Sequence, residues 1–146
     1  MEEGQALPEI RKTVTQDQIN RYARVSGDGN LIHLDPEFAA QGPFGRIVAH
    51  GMLVLAFLSE MLTQSFGSSW LESGRLKVRF RAPVYPGEDV IAFGRITRLT
   101  VEGGRRRIQC QVGCRKADGQ EVIIGDAFVV VPEVQERQLG GTKTGS

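Results

Sequence analysis

Asp28 and His33 stand five residues apart in a glycine-rich polar stretch, Ser26-Gly-Asp-Gly-Asn-Leu-Ile-His33. A carboxylate and a neutral imidazole around one water can take a proton and return it. That is the equipment for adding water across a double bond, or for removing it. Glycines at 27 and 29 flank the acid, so a short loop rather than a regular element can aim both side chains at one point. Asn30, between the two titratable groups, can hold a water or orient a ring nitrogen. Seventeen residues after His33, Ala49-His50-Gly51 opens a long apolar segment. A glycine at a helix start offers a bare backbone N–H, with the helix dipole behind it, to an oxygen that gains negative charge.

Each of these residues also has an ordinary structural use. Asp between glycines shapes turns, His33 can cap or pack, and Gly51 can serve close packing at a helix start. His50 reads as structural or helix-capping. Ser59 lies two helical turns beyond Gly51, where its hydroxyl needs a partner: the preceding turn of its own helix, or the loop that carries the acid and imidazole. Glu60 beside it marks where the helix reaches solvent or a subunit boundary. Arg75, Lys77, Arg79 and Arg81 alternate along one strand face, as a solvated outer surface or as a phosphate-binding stripe. Arg105-Arg-Arg107 reads as a soluble hairpin end.

The elements that must position these groups are legible from local signals. Residues 1–9 are polar and expected to be loose. Ile10–Val14 reads as a short entering strand. Thr15-Gln-Asp-Gln18 is a capping box that starts a helix stopped at Gly27. Asp35-Pro36 starts a short helix through about Ala40, and Gln41–Ile47 reads as loop. Gly51–Phe66 is a helix apolar nearly all round, hence expected to be buried on every side. Leu76–Arg81 alternates as a half-buried strand ended by Pro83. Asp89–Leu99, Arg105–Lys116 and Gln120–Val131 are three longer strands, joined at Glu102-Gly-Gly104 and at Asp118-Gly119. These elements predict an α+β domain over residues 10–132, in which a curved antiparallel sheet wraps one long helix. The tail 133–146 is expected to be disordered.

With 146 residues, 18 basic and 17 acidic, the chain has the size of one domain and a net charge of +1. That balance argues against a dedicated nucleic-acid binder. No run approaches the roughly 20 apolar residues of a membrane span, and the acidic start Met1-Glu-Glu-Gly-Gln lacks the apolar core of a secretory signal. Cys110 and Cys114 lie too far apart along one strand to bridge, and no third cysteine suggests a thiolate metal site. Two reduced thiols in a cytoplasmic protein are the expectation, with no metal or other cofactor.

The stretch Tyr22–Ala39, with its core Ser26-Gly-Asp-Gly-Asn-Leu-Ile-His33, resembles the hydratase motif of the MaoC-like, (R)-specific enoyl-CoA hydratases. Phe44-Gly-Arg-Ile-Val-Ala-His-Gly-Met-Leu53 resembles that family's segment entering the central helix. Val78-Arg-Phe-Arg-Ala-Pro-Val-Tyr-Pro-Gly-Glu-Asp89 resembles its following strand and turn. The resemblance implies a hot-dog fold and a homodimer or higher homo-oligomer, with an acyl-CoA or acyl-carrier-protein thioester bound near the subunit interface. It implies Asp28 and His33 as the catalytic pair, Gly51 as backbone donor to the thioester oxygen, and Ser59, beside Asn30, as support for the loop. It implies reversible hydration of a trans-2-enoyl thioester to the (R)-3-hydroxyacyl thioester. The rivals are a carrier-protein dehydratase, a hot-dog thioesterase and a non-catalytic thioester binder. One departure stands out: the family usually has Pro after the Asn, where this chain has Leu31. Losing a fixed φ there is expected to loosen the loop.

Overall fold

The computed structural model describes residues 1–133; the tail expectation for 133–146 lies, beyond its first residue, outside the described residues. The chain order is β1 (Ile10–Thr13), α1 (Gln16–Ser26), a 3-10 turn (Leu31–His33), α2 (Pro36–Ala40), α3 (Gly51–Phe66), α4 (Ser68–Ser73), β2 (Arg75–Phe80), β3 (Asp89–Glu102), β4 (Arg105–Lys116) and β5 (Glu121–Pro132). All pairings are antiparallel, and the sheet order is β1-β3-β4-β5-β2. Strands β3, β4 and β5 form a meander through the Gly-Gly and Asp-Gly turns. Gly103, Gly104 and Gly119 have positive φ there, as such hairpin turns require.

Helix α3 crosses one face of the sheet and touches β1, β3, β4 and β5. Leu58, Met61 and Leu62 are fully buried against Ile96, Val112, Cys114 and Ile123. The helix is not buried on every side, however. Met52 and Ala56 are exposed, and Leu55 and Ser59 are half-buried, along a second stripe. The five-stranded sheet covers one side of the helix, and among the described residues the other side keeps this more exposed stripe. Glu60 ends that stripe in a 3.0 Å ion pair with Lys12.

The first residues depart from the loose segment expected. Gly4 N–H donates to Ile96, Leu7 N–H donates to Gly94, and Leu7 is buried in the core. The apolar Leu7 has somewhere to go, because Gly94 leaves a space that a Cβ would fill. Next to it, β1 is clipped to β3 by Asp89. The Thr13 hydroxyl and the Arg11 guanidinium both donate to its carboxylate and hold it below its ordinary range.

A β-bulge in β5 shapes the end of the sheet nearest the site. Cys114 pairs with Ile123 but Arg115 pairs with Glu121, so Val122 is the extra residue. Its carbonyl accepts the N–H of Arg81 at 2.7 Å, which turns the chain out of β2. Val84 then accepts the N–H of Ala49 at 2.8 Å, tying that turn to the approach of α3. Lys116, 6% exposed, braces the same segment through Glu88 at 3.0 Å. Cys110 and Cys114 are buried, and burial raises their thiols to about 11 and about 12. Neither is a nucleophile at neutral pH.

Candidate active site

Helix α1 is the platform for the acid. Thr15 caps it by accepting the Gln18 N–H, and Gly27 closes it in the left-handed conformation at φ 80°. The chain then makes two tight side-chain turns. The Asn30 N–H donates to Asp28 Oδ1 at 3.3 Å, and the Ile32 N–H donates to Asn30 Oδ1 at 3.1 Å. Asn30 therefore starts a 3-10 turn, and His33 sits on that turn rather than in the irregular loop expected. The Asn30 side chain caps that turn, and among the described residues no hydrogen bond joins it to a ring nitrogen. Leu31 opens the turn, and the Asn30 cap on the Ile32 N–H constrains it.

His33 is 8% exposed, and its Nδ1 lies 2.7 Å from the Val48 carbonyl. A carbonyl only accepts, so Nδ1 carries the proton and Nε2 of the neutral ring keeps a free lone pair. Gln16 on α1 adds a second tether by donating to the His33 carbonyl at 3.0 Å. Asp28 is exposed in this single chain, yet it converges with the histidines. One carboxylate oxygen of Asp28 and one ring nitrogen from each of His33 and His50 lie within 4.8 Å of one another. Two hydrogen bonds to one tetrahedral water span roughly 4.5 Å, so a single water can bridge the acid and an imidazole.

Three such groups also raise the question of a metal ion. The His33 and His50 rings are stacked, with centroids 3.8 Å apart and planes 26° from parallel. A metal sits in the plane of the imidazole that ligates it, and these two planes meet only well beyond the rings. Nδ1 of His33 and Nε2 of His50 are already committed to carbonyls. The donor set does not suit chelation by both rings.

A cavity of about 360 Å³ opens between the 3-10 turn and the start of α3. Its walls include Ile32, His33, Phe44, Gly51, Phe80 and Val84, so the imidazole and the helix N-terminus face one space. Gly51 is the first residue of α3, and the first N–H groups of a helix have no intrahelical acceptor. A Cβ on Gly51 would stand 3.1 Å from the Phe80 ring, a tight contact that the exposed Phe80 side chain can relieve. The close approach brings the apolar wall to the bare amide.

Arg75, Lys77 and Arg79 alternate along one exposed face of β2, and Arg81 lies beyond the strand. Arg81 lines the cavity with Gly51 and His33, while Arg75 lies over the Phe128 ring. Lys77 and Arg79 stand beside Asp126 on the strand's exposed face. Ser59 lies two turns along α3 with its side chain half-buried, and its carbonyl accepts the Thr63 hydroxyl at 2.8 Å. Among the described residues no hydrogen bond joins it to the 27–33 loop. His50, read as structural or as a helix cap, makes no cap bond. Instead it packs between Tyr22 and His33 and reaches the Asp28 carbonyl.

The model of the MaoC-like domain family matches residues 2–118. The chain belongs to this family. As a MaoC-like domain it is 43% identical over 84 residues to the 3-hydroxyacyl-thioester dehydratase Z of Mycobacterium tuberculosis, an alignment covering 55% of this chain and 56% of that protein. The chain thus spans little more than half the length of that relative. It is 31% identical over 128 residues to the 3-hydroxybutyryl-CoA dehydratase of Methylorubrum extorquens, covering 87% of this chain and 79% of that one. The solved (R)-hydratase of A. caviae involved in PHA biosynthesis superposes with a TM-score of 0.77 at 28% identity, over 90% of this chain and 98% of that one. The sheet carrying α3 on one face is the hot-dog architecture that these MaoC-like proteins share. No helix among the described residues is long and apolar enough to cross a membrane.

Proposed function

We propose that this chain catalyses reversible hydration of a trans-2-enoyl thioester to the (R)-3-hydroxyacyl thioester. One observation carries the reading: a carboxylate and an imidazole converge beside a cavity that also exposes a helix N-terminus. Asp28 and His33 hold one water between them. One of them takes a proton as the water oxygen bonds to C3. The C2–C3 π pair moves toward the carbonyl, and negative charge collects on the thioester oxygen. The Gly51 N–H and the α3 dipole stabilise that charge. The base then returns the proton to C2, so the pair ends as it began and one water is consumed. The proposed chemistry draws on these side chains and this amide, with no metal or redox group in any step. The relatives' names, a thioester dehydratase and a CoA dehydratase, support the substrate class.

The reading includes a homodimer. Asp28 is exposed, the cavity-lining Phe44 and Phe80 are 44% and 52% exposed, and Leu31 and Met52, next in sequence to the lining residues Ile32 and Gly51, are 45% and 57% exposed. β2 is a sheet edge with one side of its backbone unpaired. A second copy of this chain would cover both surfaces. Two unpaired buried thiols support a reducing, cytoplasmic setting.

The test is a panel of trans-2-enoyl thioesters from four carbons upward, carried on CoA and on acyl carrier protein and followed at the enoyl absorption band. Loss of the band with no free thiol is the expected result, and the better carrier identifies the natural one. Thiol release with the band intact would replace the hydratase by a thioesterase, and tight binding without turnover would leave a thioester binder. Light scattering on the same sample is expected at twice the chain mass, and a monomer would remove the homodimer.

A further inference from the structure

His50 is the most constrained polar residue near the site, and the proposed chemistry leaves it unused. It is 2% exposed. Its Nε2 lies 3.0 Å from the Asp28 carbonyl, so Nε2 carries the proton and donates. Its Nδ1 is buried, and among the described residues it has no hydrogen-bond partner. The ring is stacked on His33 at 3.8 Å on one side and meets Tyr22 of α1 at 4.8 Å on the other. Along the chain it directly precedes Gly51. One side chain therefore links α1, the acid's backbone, the imidazole and the amide that faces them.

We propose that His50 is a positioning residue that fixes Asp28 and His33 relative to the Gly51 amide; this rests on the hydration reading above. A buried nitrogen without a partner costs stability, so the ring's retention needs a compensating use. The bond from Nε2 to Asp28 supplies one. It crosses 22 residues of sequence and sets the height of the acid's loop over the start of α3. The stack supplies the other, because it holds the face of His33 while the Val48 carbonyl holds its edge. The two histidines must therefore be opposite tautomers, His33 protonated on Nδ1 and His50 on Nε2.

Two substitutions separate bond from bulk. His50→Phe keeps an aromatic ring between Tyr22 and His33 and loses the donor. His50→Gln keeps an N–H donor at similar reach and loses the ring. The expected result is a fall in kcat on the order of 10²-fold in His50→Phe with KM little changed, since small misplacement of reacting groups costs that much. His50→Gln is expected to recover part of it, because the donor returns and the stack on His33 does not. Wild-type kcat in His50→Phe, a loss carried by KM, or a Gln variant no better than Phe would each overturn the proposal. The wild-type protein gives a second readout that needs no turnover and no variant fold. Its two imidazoles, observed by 15N NMR, are expected to show opposite tautomers, and two rings of the same tautomer would overturn the assignment. Should the wild-type protein hydrate no thioester, the hydration reading fails while the tautomers still decide the geometry.

Discussion

Asp28→Asn is expected to lower hydration of a trans-2-enoyl thioester by at least about 10²-fold in kcat, with the fold unchanged. The amide has the same shape, and its oxygen can still accept the Asn30 N–H that now bonds Asp28 Oδ1 at 3.3 Å. Asp28 is exposed in the single chain, so no buried charge is created or orphaned. What the substitution removes is the carboxylate's ability to take or share the water's proton. His33→Gln is expected to cost at least as much, because the free Nε2 disappears with the ring. The double variant is expected to lose little more than the worse single one, since two groups that act on one water fail together. Steady-state rates on one substrate decide this. Unchanged kcat in Asp28→Asn would remove the acid from the chemistry, and multiplicative losses would mean that the two residues do not act as a unit.

Gly51→Pro is expected to cost about 10²–10³ in rate, the usual loss on removing one oxyanion donor. The local backbone makes this an unusually clean substitution. Gly51 is the first helical residue of α3, where a proline fits because that N–H has no intrahelical acceptor. His50 ahead of it has φ −61° and ψ 134°, a conformation that a following proline favours. The substitution therefore deletes the N–H while keeping the helix. The added ring atoms press on Phe80, which is 52% exposed and free to give way. Gly51→Ala is the control: it carries the same Cβ and keeps the N–H, so it is expected to stay within a few-fold of wild type. Equal losses in the two variants would assign the effect to the Phe80 contact, and full activity in Gly51→Pro would remove the amide from the mechanism.

What could be read from the residues follows the range of the forces involved. Thr15, Gly27, Asp35-Pro36 and the Asp-Gly turn act on their own neighbours, and the elements that they delimit stand where those signals put them. Asp28, His33 and Gly51 were legible for the same reason, because their types and spacing sit within two short segments. α4 escaped notice since Ser68–Ser73 has no periodic apolar face, and Trp70 alone buries there. The exposed stripe of α3 was read as buried because Met52, Leu55 and Ala56 report their own hydrophobicity and not what covers them. His50 reads from the sequence only as structural or capping because its particular contacts are tertiary: a carbonyl 22 residues back and a ring 17 residues back are brought to it by the fold. A histidine beside a helix-opening glycine was the one local hint.

The most direct measurement is the fate of solvent oxygen during turnover. Wild-type protein acting on trans-2-butenoyl-CoA in 18O-labelled water is expected to yield (R)-3-hydroxybutyryl-CoA with the label on C3 and the thioester intact. Label in a released carboxylate, or unlabelled substrate recovered after long incubation, would contradict a shared water delivered to C3 by Asp28 and His33.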